Sequence, residues 1–256
     1  MTTKTLSLVG ATVLCAGAAF AAATPQELCN RARVQAWSTY LSCVDAVVAK
    51  DAQGASFDEF AAFARCRHKY HRVWTGFQTN GALASSSCVG SRFTDDGGTV
   101  ADNLTGLVWE KKTPATGLQV DFDQPQLVNN VYTWSTGAPY TGTGTAFTSF
   151  LSAVNSGNGF AGANDWRLPT LAELQTLELD FACAGSGGSP TCSCGANPCI
   201  DGVFGPTSFV YWSATAYAPT PGVAWVVLFA PLSVGSNGNV ADESATLYVR
   251  AVRGGF

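Results

Sequence analysis

Histidine is scarce in this chain. Of 256 residues only two, His68 and His71, are histidines, and none follows position 71. A Ser-His-Asp or Cys-His arrangement therefore has no base in the larger, C-terminal part of the chain. Carboxylates are available there, but none forms a recognisable acid/base pair by spacing. Charge is scarce too: Asp, Glu, Lys and Arg make up 12% of the residues, and the net charge is −4. That is not the composition of a solvated, disordered polymer, nor of a nucleic-acid-binding protein. Beyond the first 23 residues no run is long and apolar enough to cross a bilayer, so no transmembrane segment is expected.

Glycine is plentiful, with 27 residues, and aromatics make up 11%. This describes an ordered, turn-rich, β-leaning protein. Residues 1–23 read as a signal peptide: Lys4, an uncharged apolar stretch from Leu6 to Phe20, then small residues that offer A-x-A cleavage sites. Leu14, before Cys15, is too large for a lipoprotein site. The expected location is secreted, periplasmic or cell-surface.

Removing Cys15 leaves eight cysteines in two groups of four: Cys29, Cys43, Cys66 and Cys88, then Cys183, Cys192, Cys194 and Cys199. An even count in an oxidising compartment predicts disulfides. In the first group, nested Cys43–Cys66 and Cys29–Cys88 bridges are favoured, although spacing leaves other pairings open. In the second, Cys183–Cys192 with Cys194–Cys199 and Cys183–Cys194 with Cys192–Cys199 both remain open. A zinc site there is the lesser reading, and no cofactor or metal is expected.

Residues 24–75 read as a helical hairpin. Thr24-Pro25-Gln26-Glu27 is a capping box with proline at the first helical position. Trp37, Tyr40, Leu41, Val44, Val47 and Val48 recur at helical spacing, and Gly54 breaks the run. Ser56-Phe57-Asp58-Glu59 is a second capping box, followed by Phe60, Phe63, Cys66, Tyr70 and Val73. Arg65, Arg67, Lys69 and Arg72 cluster with His68 on the second helix. Their simplest reading is as cations favoured by a helix C-terminus; their functional reading is as a polyanion site. Residues 76–91 read as a linker.

Residues 92–256 read as a second domain. Arg92-Phe93-Thr94, the turn Asp95-Asp96-Gly97-Gly98 and Thr99-Val100-Ala101 predict a β-hairpin, and Leu107-Val108-Trp109-Glu110 a further strand. Turn chemistry explains Asp95, Asp96 and Asp102 better than a calcium loop does. Thr113 to Thr145 reads as a long surface loop with exposed Tyr132, Trp134 and Tyr140. Phe147, Phe150, Leu151 and Val154 predict a short helix ended by Gly157 and Gly159.

The stretch Asn164-Asp165-Trp166-Arg167-Leu168-Pro169-Thr170 organises the rest. Thr170 and Glu173 form a capping box before Leu171, Leu174 and Leu177, and Pro169 holds the entry extended. Arg167, between Trp166 and Leu168, is expected near the core on a carboxylate, Asp165 or Glu173. Strands are then predicted at Phe209–Thr215, Ala224–Phe229 and Thr246–Arg253. The last is expected to close a sheet beside the domain's first strand.

Arg92-Phe93-Thr94-Asp95, the run from Gly98 to Trp109, Asp165-Trp166-Arg167-Leu168-Pro169-Thr170 with Glu173, Tyr211-Trp212-Ser213-Ala214-Thr215, and Tyr248-Val249-Arg250-Ala251-Val252-Arg253 follow one another in an order that resembles the DUF1566 family. This family is also called the Legionella collagen-like protein C-terminal domain, and the resemblance covers about residues 91–256. It implies an α+β, C-type lectin-like domain, here preceded by a disulfide-linked helical hairpin. Trp109, Trp166, Arg167, Pro169 and Glu173 are its expected structural residues. The family's best-known use is adhesion through sulfated polysaccharides. Two departures stand out. Ala251 occupies a position where the family often has cysteine, and no cysteine follows Cys199, whereas oxidase-like relatives have a reactive pair near the domain end.

The expected function is an exported, non-catalytic binding or adhesion module with a glycan or cell-surface protein as partner. Trp134, Tyr140, Trp212 and Tyr217 are the candidates for stacking on a ligand. The first alternative is a structural subunit of a surface assembly, docked through the hairpin, with oligomerisation left open. The second is an enzyme of the sulfatase-modifying-factor-like group. Residues 92–256 carry six positive against thirteen acidic side chains, a balance of −7, so a polyanion is expected to meet the hairpin rather than this domain.

Overall fold

The computed structural model describes residues 23–54, 57–79, 92–177, 198, 200–229 and 239–255. Residues 1–22, nearly all of the stretch read as a signal peptide, the stretch 80–91 with Cys88, and Cys183, Cys192, Cys194 and Cys199 lie outside the described residues, as does the Cys29 side chain.

Helix α1, Pro25–Ala52, starts as its sequence dictates. Thr24 Oγ1 accepts from the Glu27 amide at 3.2 Å, and Glu27 returns the contact to the Thr24 amide at 2.7 Å. The chain reverses at Gly54, whose φ of +71° suits a residue without a side chain. Helix α2, Glu59–Thr79, is capped by Asp58, which accepts from the Ala61 amide at 2.9 Å. Ser56, read as the cap from the sequence, lies outside the described residues; an aspartate directly before the helix is a favoured cap. The helix runs past residue 75 into the stretch read as linker. The Cys43–Cys66 disulfide joins α1 and α2, and the pairing read from their spacing is borne out.

Two sheets follow. Strands β1 (Phe93–Asp95), β2 (Thr99–Asp102), β3 (Leu107–Glu110) and β9 (Val252–Gly254) form an antiparallel sheet in the order β1-β2-β3-β9. Strands β4 (Val131–Tyr132), β5 (Val210–Ala216), β6 (Val223–Leu228), β7 (Asn239–Asp242) and β8 (Leu247–Tyr248) form the second, in the order β4-β8-β5-β6-β7. Between them in sequence, a π-helical turn, Ala146–Leu151, runs into α3, Ser152–Asn155, and then comes the short α4, Leu171–Gln175. The φ of Gly159 is +69°, and a Cβ there would lie 1.8 Å from the Ala163 carbonyl oxygen, so the reversal after α3 requires glycine.

The final motif differs from expectation. It is not one strand but two, β8 and β9, in different sheets, and β9 pairs with β3 rather than β1. The residues between, Val249-Arg250-Ala251, are buried. Glu110 anchors this crossing. Its amide donates to the Ala251 carbonyl at 3.0 Å, its Oε2 accepts from the Ala251 amide at 2.8 Å, and its carbonyl accepts from Arg250 Nη1 at 2.6 Å.

Strand β6 of the five-stranded sheet is buried on both faces, which explains its unbroken apolar run. Trp225 and Val227 face the hairpin and α4; Ala224 and Val226 face Phe150, Val154, Trp166 and Leu168. The hairpin is thus part of the core. Phe63 meets Trp225 edge-on at 5.2 Å, and the buried Tyr40 hydroxyl donates to Gln175 Oε1 at 2.6 Å. Its apolar face lies on its own domain, which removes that face as a docking element for an assembly.

Candidate ligand-binding surface

The keystone stretch is tied into the fold by its side chains and its backbone. Arg167 grips Glu173 with two bonds, Nη1–Oε2 and Nη2–Oε1, both 2.7 Å. The Glu173 hydrogen bond raises the Arg167 pKa, with burial opposing. Glu173 Oε2 also accepts from the Thr170 amide at 2.8 Å and so completes the cap of α4. Asp165 instead holds Arg253, at 2.7 Å. The Arg167 backbone pairs with Val252 at 2.9 Å in both directions, tying the keystone to β9. Trp109 and Trp166 are buried, Pro169 is buried, and the Pro169 carbonyl accepts from the Ala214 amide at 2.7 Å. Arg167 itself is less buried than its neighbours suggest: 41% of its side chain is exposed.

The four aromatic candidates separate. Trp212 is 0% and Trp134 4% exposed, so neither offers a ring face to a sugar. Trp134 Nε1 donates to the Ser213 carbonyl and Trp212 Nε1 to the Tyr132 carbonyl, so each indole is a fixed part of the core. Tyr132, expected on the surface, is buried as well, and burial pushes its hydroxyl up to about 12. Tyr217 packs edge-on against Trp225 and donates to Glu59 Oε1 at 3.0 Å, which makes it a contact to the hairpin. Only Tyr140 of the four remains on the surface, 44% exposed. The loop around it also leaves Leu118, Val120 and Phe122 exposed.

The cations divide just as sharply. All six in residues 92–256 have intramolecular partners. Arg92 binds Asp102, Lys111 binds Asp95, Lys112 binds Glu110, Arg167 binds Glu173, Arg253 binds Asp165, and Arg250 donates to the Glu110 carbonyl. Asp95 and Asp102 are thereby accounted for by cations and by the turn amides of Gly97 and Leu104. On the hairpin, Lys50, Arg65, Lys69 and Arg72 are exposed, and no carboxylate pairs with them among the described residues. The side chain of Arg67 is outside the description.

The simple reading of this cluster fails on position. Helix α2 continues to Thr79, and its last turn contains no basic residue. The dipole's attraction for cations falls off within that turn, so it does not explain charges two turns back. Arg65, Lys69 and Arg72 lie instead at three- and four-residue spacing on one stripe. Beside them a cleft of about 420 Å³ opens between the helices, lined by Ala46, Lys50, Phe57, Arg65, the Cys43–Cys66 bridge and Lys69 among others. Sequence reasoning missed Lys50 and Phe57 as neighbours of the cluster. Lys50 Nζ lies 4.3 Å from the Phe57 ring centre. The pairing of Cys43 with Cys66, which fixes the register of the two helices, was the signal that brings them together.

At the turn of the hairpin sits a second polar feature. Asp51 is 1% exposed, and neither carboxylate oxygen has a hydrogen-bond partner among the described residues. Burial, ahead of the neighbouring Glu59 carboxyl, pushes its acid up to about 7. Burial and the Glu59 hydrogen bond likewise push Tyr217 up to about 12. Asp51, Glu59 and Tyr217 form an acidic contact where the hairpin meets the domain.

Among the described residues no helix is long and apolar enough to cross a membrane, and the disulfide fits a location outside the cytoplasm. No curated protein and no solved structure matches the chain. Residues 98–253, more than half the chain, match the Lcl C-terminal domain, and with its strand motifs in two sheets joined through the keystone the chain belongs to that family.

Proposed function

We propose that this protein is an exported, non-catalytic binding module in which the Lcl C-terminal domain, of C-type lectin-like architecture, is the scaffold and the helical hairpin carries the recognition surface. The ligand is an acidic polysaccharide of a cell surface. One observation carries this reading: every cation of the domain is held by an internal partner, whereas Lys50, Arg65, Lys69 and Arg72 on the hairpin are exposed and pair with no carboxylate among the described residues. Exposed cations on one stripe attract a polyanion over about a Debye length, ~8 Å at physiological salt. The domain's balance of −7 repels it and so orients the encounter. The lectin-like part of the reading is supported by the two sheets and by the first and last strands of the domain sharing one of them.

The test is retention of the mature protein on heparin at physiological salt. The full chain is expected to be retained and to elute as salt rises. Replacing Arg65, Arg67, Lys69 and Arg72 with Ser should abolish retention while leaving the melting temperature within a few degrees. Unchanged retention in that variant, or none in the wild type, refutes the proposal.

A further inference from the structure

A polysaccharide needs only the cations of the hairpin. The cleft beside them offers something more. Its volume, about 420 Å³, is within the range of small-ligand pockets, ~300–1,000 Å³. Its walls are apolar: Ala46 and Val47 on α1, Phe57 at the turn, Ala62 on α2, and the Cys43–Cys66 sulfurs. Its cations are Lys50, Arg65 and Lys69, and no carboxylate neutralises them among the described residues.

This side of the hairpin is not the side that docks on the domain. Ser42, Ala46 and Lys50, four residues apart along α1, are exposed, whereas Tyr40 and Val44 are buried against the domain. Apolar walls with uncompensated positive charge complement a molecule that joins a negative head to a short aliphatic body. The head displaces water from cations that repel one another, and the body removes the apolar walls from water. A purely polar anion leaves those walls wet; a cationic amphiphile meets like charge.

We infer that the cleft between α1 and α2 binds a single-chain anionic amphiphile. Its carboxylate or sulfate head is held by Lys50, Arg65 and Lys69, and its chain lies against Phe57 and the Cys43–Cys66 bridge. The inference rests on the polyanion reading for its three cations and adds the apolar walls.

The experiment titrates the full mature chain with dodecanoate below its micelle-forming concentration, by calorimetry. The comparisons are acetate, which has the head alone, and dodecyltrimethylammonium, which has the same tail with opposite charge. Dodecanoate is expected to saturate one site and to bind at least tenfold more tightly than either comparison ligand. Ala46→Trp, which fills the cleft from an exposed helix position, should weaken dodecanoate at least tenfold while heparin retention persists. Phe57→Ser removes an apolar wall and carries the same expectation, should the first variant not fold. No saturable binding of dodecanoate, equal binding of the cationic amphiphile, or wild-type affinity in the folded variants overturns the inference. Heparin retention without dodecanoate binding overturns it alone; loss of both overturns the polyanion reading as well.

Discussion

Glu173 serves two masters in one carboxylate: it closes the cap of α4 and holds Arg167 by two bonds. Arg167→Ala removes the second role and leaves the first. With 41% of the arginine side chain in water, solvent screens much of the pair, and the expected loss is about 1–2 kcal/mol. Denaturant unfolding measures it; a loss above about 4 kcal/mol would show the pair to behave as fully buried. Arg167→Lys should recover little, because an ammonium does not reproduce the two-pronged contact. At this scale the sequence was informative where chemistry is local. The boxes Thr24/Glu27 and Thr170/Glu173 were readable because both partners lie within one turn. Trp134 and Trp212 were misread because their burial depends on carbonyls of Ser213 and Tyr132, some eighty residues away.

Among elements, the hairpin meets the domain at two acids of its own, Asp51 on α1 and Glu59 on α2, with Tyr217 of the domain donating to Glu59. Asp51 in the folded chain holds its proton up to about 7, while an unfolded aspartate releases it near 4. The folded form therefore binds more protons than the unfolded form between those values. The contribution of Asp51 to stability is full below about pH 4 and is lost as pH rises through about 7. Asp51→Asn removes the charge and this slope together. The variant should melt higher than wild type at pH 8 and nearly level with it at pH 4; thermal melts across that range decide the matter. A variant that melts lower at pH 8 would show that the ionised carboxylate is needed. The helices themselves were legible from their apolar spacing. Where their apolar faces go was not, because a stripe of Trp37, Tyr40, Val44 and Phe63 states that something must cover it but not what. The same limit applies to β8 and β9. Both are strand-like, and nothing in the run from Thr246 to Arg253 says that it changes sheets at Arg250.

For the whole molecule, the shared core makes the hairpin an obligate part of the fold. Cutting it away uncovers Trp225, Val227, Leu171 and Leu174 together. Residues 92–256 expressed alone should bind a hydrophobic dye and melt at least 10 °C below the full chain; equal melting would show the hairpin to be an independent unit. The four-stranded sheet bears on synthesis. Ala251 meets Glu110 across 141 residues, and β3 lacks one neighbour until that contact forms. Such distant pairing is slow to form. A chain that emerges N-terminus first can make its helices early, yet the domain cannot shut until its last strand arrives. The timing of closure is therefore set by the arrival of Val252, and until then β3 keeps an open edge that any other strand within reach could occupy.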